Sequence, residues 1–203
     1  MSRRRTNRKN IKNQKLVFYE GETEVHYFNM LKQRYNGGNI KIKLINSHGQ
    51  KGTKLLQEAI KWRKSNSSSL SQLYICFDND HQPTDLLINT LKLAESENIR
   101  IIYSNICFEV WLLLHFHKIE NETNWLNSEW LYLNFGNILG LENYEKSKGQ
   151  DLSSYFEDRI LTADRNCQNY THNHNLTNSV FYKNLPYTNL NQEIRHIFQT
   201  IQL

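Results

Sequence analysis

Three acidic motifs stand out in the 203-residue chain: Glu20-Gly21-Glu22-Thr23-Glu24, Asp78-Asn79-Asp80, and Glu109, which follows Ser104-Asn105. Each comes after an apolar, β-favouring run, so the acids are expected just beyond strand ends. In open parallel sheets, functional groups gather beyond the carboxyl ends of the strands. That rule predicts that Glu20, Glu24, Asp78, Asp80 and Glu109 converge on one crevice. Carboxylates a few ångströms apart in a partly desolvated site cannot all stay ionised alone, so protons or a cation must share it. An all-oxygen donor set favours a hard ion, Mg²⁺ or Mn²⁺, over zinc. Asp78 and Asp80 flank a single residue and can reach the same ion as the chain turns. Gly21 permits a sharp turn after Glu20 and keeps the approach open. An ion ligated on one side by carboxylates leaves its other side to phosphate oxygens, the arrangement of phosphoryl transfer. Taken singly, each motif has a plainer explanation: a DxD commonly forms a solvated turn, and Glu24 complements a helix dipole. The chemical reading rests on their coincidence at successive strand ends.

The elements that must position these acids are legible from periodicity. Lys15–Tyr19 reads as a strand, with Thr23 as the N-cap of a helix ending near Asn36-Gly37-Gly38. Ile40 to Ile45 alternates apolar residues with lysine, a half-exposed strand. Gly52-Thr53 opens an amphipathic helix through Leu55, Leu56, Ala59, Ile60 and Trp62. Leu73 to Phe77 reads as a strand buried on both faces, followed by a helix over about Thr84 to Glu97 and a strand at Arg100 to Tyr103. Such alternation over residues 15 to 103 predicts an α/β fold with a doubly wound, mainly parallel four-stranded sheet. From Val110 the chain reads as mostly helical, ending in a helix near Leu190 to Ile201.

Composition narrows the class. At 38% hydrophobic and 12% aromatic residues, the chain is long and apolar enough for a globular core. No apolar run approaches the roughly 18 residues of a membrane span, and no apolar stretch follows the basic start as in a secretory signal. Three cysteines without CxxC spacing fit a reducing, cytoplasmic setting. The net charge of +5 is unevenly placed: residues 1 to 15 carry seven basic groups and no acid, which leaves 18 basic against 20 acidic groups beyond them. The basicity is therefore a tail on a mildly acidic body. Residues 1 to 14 are expected to be a disordered leader, with Arg3, Arg4, Arg5, Arg8 and Lys9 as a phosphate-attracting arm.

The acidic blocks resemble those of the Toprim fold, the catalytic module of primases, topoisomerases and OLD-family nucleases. More narrowly, the stretch from Tyr103-Ser104-Asn105-Ile106-Cys107-Phe108-Glu109 through Val110-Trp111-Leu112-Leu113-Leu114-His115-Phe116 resembles the signature of the RloB family, small bacterial proteins of restriction and abortive-infection loci. Tyr144-Glu145-Lys146 and Asn184-Leu185-Pro186-Tyr187-Thr188-Asn189 are similar to its downstream blocks, although Ile106 stands where members usually carry Pro. The resemblance implies one RloB-like domain over 15–203, with a Toprim-like core to about residue 115 and a helical extension from about 116. It implies a Mg²⁺- or Mn²⁺-dependent nuclease acting on RNA or DNA in anti-phage defence. The resemblance also implies a partner ATPase encoded beside it; the chain itself contains no GxxxxGK[ST] and cannot supply a P-loop. A homodimer is left open and no membrane partner is expected. By the same resemblance, Glu20 is a metal ligand or general acid/base, with Glu24, Asp78 and Asp80 completing one or two metal sites. Ser104 and Asn105 orient phosphate or water, Glu109 ligates a second ion or supports it, and Lys146 stabilises developing phosphate charge. Thr188 is carried over only weakly.

Other motifs carry less. His115-Phe116-His117 and His172-Asn173-His174 have HxH spacing without a Cys or carboxylate cluster beside them, a poor zinc site. Trp111 reads as core rather than as a base-stacking platform, and Cys76 and Cys107 lack the paired His of a thiol nucleophile. The alternative to an enzyme is a catalytically inactive subunit that binds metal and nucleic acid and regulates an ATPase complex.

Overall fold

A computed structural model describes residues 14–36, 38, 40–44, 51–66, 72–79, 81–174, 176, 185–200 and 203. Asp80 and the tail residues Arg3, Arg4, Arg5, Arg8 and Lys9 lie outside the described residues. The described chain runs β1 (Lys15–Tyr19), α1 (Glu22–Arg34), β2 (Ile40–Leu44), α2 (Lys51–Ser65), β3 (Gln72–Asp78), α3 (Thr84–Ser96) and β4 (Ile99–Asn105). Short helices α4 (Glu109–Leu113) and α5 (Glu122–Trp125) follow, then α6 (Ser128–Leu139), α7 (Tyr144–Ser147), α8 (Ile160–Asn173), β5 (Tyr187–Thr188) and α9 (Leu190–Phe198). None of the described helices is long and apolar enough to cross a membrane.

The alternation of side chains along the strands divides the interior in two. Val17, Tyr19, Tyr74, Cys76 and Ile102 face one core, which α1, α4, α6, α8 and α9 close. Leu16, Phe18, Leu73, Ile75 and Phe77 face the other, which α2 and α3 close. Both faces of β1 and β3 are covered, which is why these strands read as unbroken apolar runs.

The sheet differs from expectation in one respect: it is five-stranded and mixed, in the order β2-β1-β3-β4-β5. The first four strands are parallel, and β5 runs antiparallel to β4 with Ser104 opposite Thr188 and Asn105 opposite Tyr187. Two residues are too few to show a period, so β5 leaves no pattern in the sequence. Side chains hold it instead. Asn189 Oδ1 accepts the Tyr103 N–H at 2.8 Å, Asn189 Nδ2 donates to Ile101 O at 2.9 Å, and Ser104 Oγ donates to Thr188 Oγ1 at 3.2 Å. Helix α9 is latched to the sheet by Arg100, whose Nε and Nη2 donate to the buried Glu193 carboxylate at 2.8 and 2.7 Å. Lys15 Nζ donates to the carbonyls of His196 and Ile197 at its end.

A second correction concerns α1. Its N-cap is Gly21 rather than Thr23, and no side chain caps it. Thr23 sits in the first turn, where its Oγ1 accepts the N–H of Gly149 from a loop 126 residues away at 3.3 Å.

Candidate functional site

Strands β1, β3 and β4 lie side by side and parallel, so their carboxyl ends open on one edge of the sheet. Glu20 follows the last residue of β1, Asp78 ends β3, and Glu109 begins α4 four residues after β4. Helix α1 adds Glu24 from its first turn. All four line a single cleft of about 320 Å³, with Phe77 and Phe108 as its apolar wall. Four of the five acids singled out by spacing are thus brought together.

The buried members are the informative ones. Glu24 is 7% exposed, and its carboxylate lies against the bare Cα of Gly21, where a Cβ would come within 2.2 Å of Oε2. Burial raises its carboxyl to about 7. Its own backbone N–H and Lys148 oppose the rise, while Glu109 and Glu20 add to it. Glu109 is 3% exposed, and its Oε1 accepts from Lys148 Nζ at 3.0 Å and from the Tyr144 O–H at 3.0 Å. Lys148 also donates to Tyr132 Oη at 2.7 Å, with its Nζ 4.1 Å from the centre of that ring. Burial works against the ammonium, but Glu109 and the Tyr132 hydroxyl outweigh it and hold Lys148 above the usual lysine range.

Lys148 was not among the residues singled out in the sequence. Lys146 was, and the structure exposes it away from the cleft; its backbone N–H donates to Asn143 Oδ1 at the start of α7. No helical periodicity could have favoured Lys148, because it stands just past the end of α7, with φ −56° and ψ 138°. The following residue must be glycine, because Gly149 has φ +84° and a Cβ there would lie 2.6 Å from Glu22 Oε2.

Ser104 and Asn105 are each 1% exposed and stand behind the cleft rather than in it. Asn105 accepts from Asn79 Nδ2 at 2.7 Å and donates to Leu185 O at 2.7 Å. The Asn79 N–H donates to Ser104 O at 2.9 Å. Together they brace the turn that carries Asp78, and the Asn105–Ile106 peptide is cis. Thr188 is likewise internal, accepting from Ser104 and from the Leu190 N–H.

Burial raises the thiols of Cys76 and Cys107, and neighbouring carboxylates push both further, so neither is a thiolate nucleophile. One histidine of each pair is engaged by the fold. His115 is fully buried, with Nδ1–H shared between Trp111 O and Leu112 O and Nε2 accepting from the Tyr27 O–H. His174 pairs with Glu122 at 2.7 Å. Trp111 is fully buried in the core.

Among the described residues, no three His, Cys, Asp or Glu side chains are gathered tightly enough to hold a metal ion. The chemistry of the cleft nevertheless suits a hard divalent ion: oxygen donors only, and a glycine that leaves a seat for the Glu24 carboxylate. No curated protein and no solved structure matches the chain. The family model described as RloB-like protein matches residues 15–197.

Proposed function

The chain belongs to the RloB-like protein family, and we propose that it is a metal-dependent phosphodiesterase, an endonuclease built on a Toprim-like α/β sheet. The observation that carries this reading is the meeting of Glu20, Glu24, Asp78 and Glu109 with Lys148 in one cleft at the carboxyl edge of parallel strands. A bound Mg²⁺ or Mn²⁺ would supply charge neutralisation at a phosphate and a more acidic water. Glu20 and Asp78, with Asp80, are the residues to hold it, and Glu24 approaches from α1. Glu20, just beyond β1, would accept the proton of an attacking water at a carboxylate oxygen. The Lys148 ammonium is the group within the cleft to meet developing phosphate charge, in the role that the sequence assigned to Lys146. Asn105 and Ser104 serve by holding the Asp78 turn.

We read the protein as the effector of an anti-phage system, gated by a partner ATPase. The test is cleavage of labelled transfer RNA, single-stranded RNA and plasmid DNA with Mg²⁺ or Mn²⁺, with the protein alone and co-expressed with a neighbouring ATPase. Glu20→Gln and Asp78→Asn should each cut the rate at least about 100-fold, as expected for groups acting on the reacting atoms. Unchanged cleavage in either variant would remove that residue from the chemistry.

A further inference from the structure

Glu109 already serves one cation through one of its two carboxylate oxygens. Its carboxylate is almost fully buried, and Oε1 already accepts from the Lys148 ammonium and the Tyr144 hydroxyl, each at 3.0 Å. The lysine is built into place. Its Nζ donates to Tyr132 Oη, and the backbone of the next residue is tied to α1 at two points. The Gly149 N–H donates to Thr23 Oγ1 at 3.3 Å, and Gly149 O lies 3.1 Å from His26 Nε2 as acceptor. The helix that brings Glu24 into the cleft therefore also fixes the loop that brings Lys148. Yet the lysine side chain is 37% exposed, against 4% for Glu109. Its flexible four-carbon stem can swing outward without moving a core residue, whereas the Glu109 carboxylate has nowhere else to go.

We propose that Lys148 is the resting counter-ion of the cleft: a divalent cation entering the carboxylate cluster displaces its ammonium from Glu109 and turns it toward the phosphate of the substrate. The inference rests on the metal-dependent reading above and adds the order of events within it. A divalent ion attracts a carboxylate twice as strongly as an ammonium does at equal distance, so exchange at Glu109 is favoured once the ion's other ligands are engaged. The tether keeps the ammonium at hand, so the two cations compete, and the metal affinity of the resting protein is lowered by what that contact is worth. The coupling is reciprocal: whatever loosens Lys148 strengthens metal binding.

The experiment is a calorimetric titration of the full chain with Mn²⁺, without nucleic acid, for the unsubstituted protein and the variants Lys148→Met, Lys148→Arg and Tyr132→Phe. Lys148→Met should bind Mn²⁺ at least about tenfold more tightly, because a competing charge has left a cleft of five carboxylates, Glu22 included, while losing cleavage activity. Lys148→Arg should stay near the unsubstituted affinity. Tyr132→Phe keeps the lysine and loosens it, and should bind at least about tenfold more tightly, the worth of one hydrogen bond to a charged group. It carries the test if Lys148→Met does not fold. Mn²⁺ binding that is unchanged or weaker in these two variants, with the unsubstituted protein binding normally, overturns this inference alone. No binding by any of the four proteins overturns the metal-dependent reading and this inference with it.

Discussion

Gly21 shows how a single missing methyl group shapes the cleft. Its backbone, at φ −103° and ψ 150°, is open to any residue, so alanine there costs no backbone strain. What alanine cannot do is coexist with the Glu24 carboxylate, whose Oε2 would lie 2.2 Å from the new Cβ. Gly21→Ala should therefore expel Glu24 from its seat, weakening Mn²⁺ binding at least about tenfold, a cost of about 1.4 kcal/mol. Thermal melting should move by only a few degrees. Calorimetry and a melting curve on the same sample check both halves, and an unchanged affinity would mean that Glu24 does not face the ion. At this scale the sequence disclosed the acids, because carboxylates at strand ends have few other reasons to cluster. It did not separate Lys146 from Lys148, since Lys148 stands just past a four-residue helix, where no periodicity tells which way a side chain points. Nor did it show that Ser104 and Asn105 point inward, because a polar residue at a strand end serves a crevice or an internal bracing network equally well.

Between elements, α1 and the segment following α4 are joined through His115. The ring is fully buried; burial lowers its pKa to about 3, and the carbonyls of Trp111 and Leu112 offset this only in part. The unfolded chain binds the proton near the ordinary value of 6.5, the folded one only near 3, so between these values the unfolded state holds more protons. The stability that neutral His115 contributes is thus present above pH 6.5 and is lost as pH falls toward 3. His115→Gln should flatten that fall, most visibly between pH 6 and 4, by roughly 2–4 kcal/mol. Denaturant titrations at several pH values measure it, and parallel curves for both proteins would contradict it. The strands that carry the site were legible because each is an apolar run covered on both faces. β5 was not, because its place is fixed by Asn189 and Thr188 reaching across more than 80 residues of chain.

Over the whole molecule, charge is divided between a basic start and an acidic body. Lys15, counted with the basic start in sequence, belongs to the fold: it is 6% exposed and donates to carbonyls at the end of α9. Six basic groups remain in residues 1–13. Deleting those residues should reduce the slope of log affinity against log salt by up to about 4–5 for nucleic acid, weakening binding more at low salt than at high salt. The rate of cleavage at saturation should survive. Filter binding at several salt concentrations reads the slope, and an unchanged slope would show that the arm does not touch phosphate.

The carboxylate cleft unites these scales, since residue seats, strand ends and the proposed handling of phosphate charge all meet there. The measurement that tests it most directly is cleavage of labelled nucleic acid, with the protein alone and with the proposed partner ATPase, as Mn²⁺ is titrated into chelator-treated protein and into its Asp78→Asn variant. The account predicts no cleavage without the ion, saturable restoration in the unsubstituted protein, and little or none in the variant. Cleavage that persists under chelation, or that Asp78→Asn restores at the same ion concentration, would contradict it.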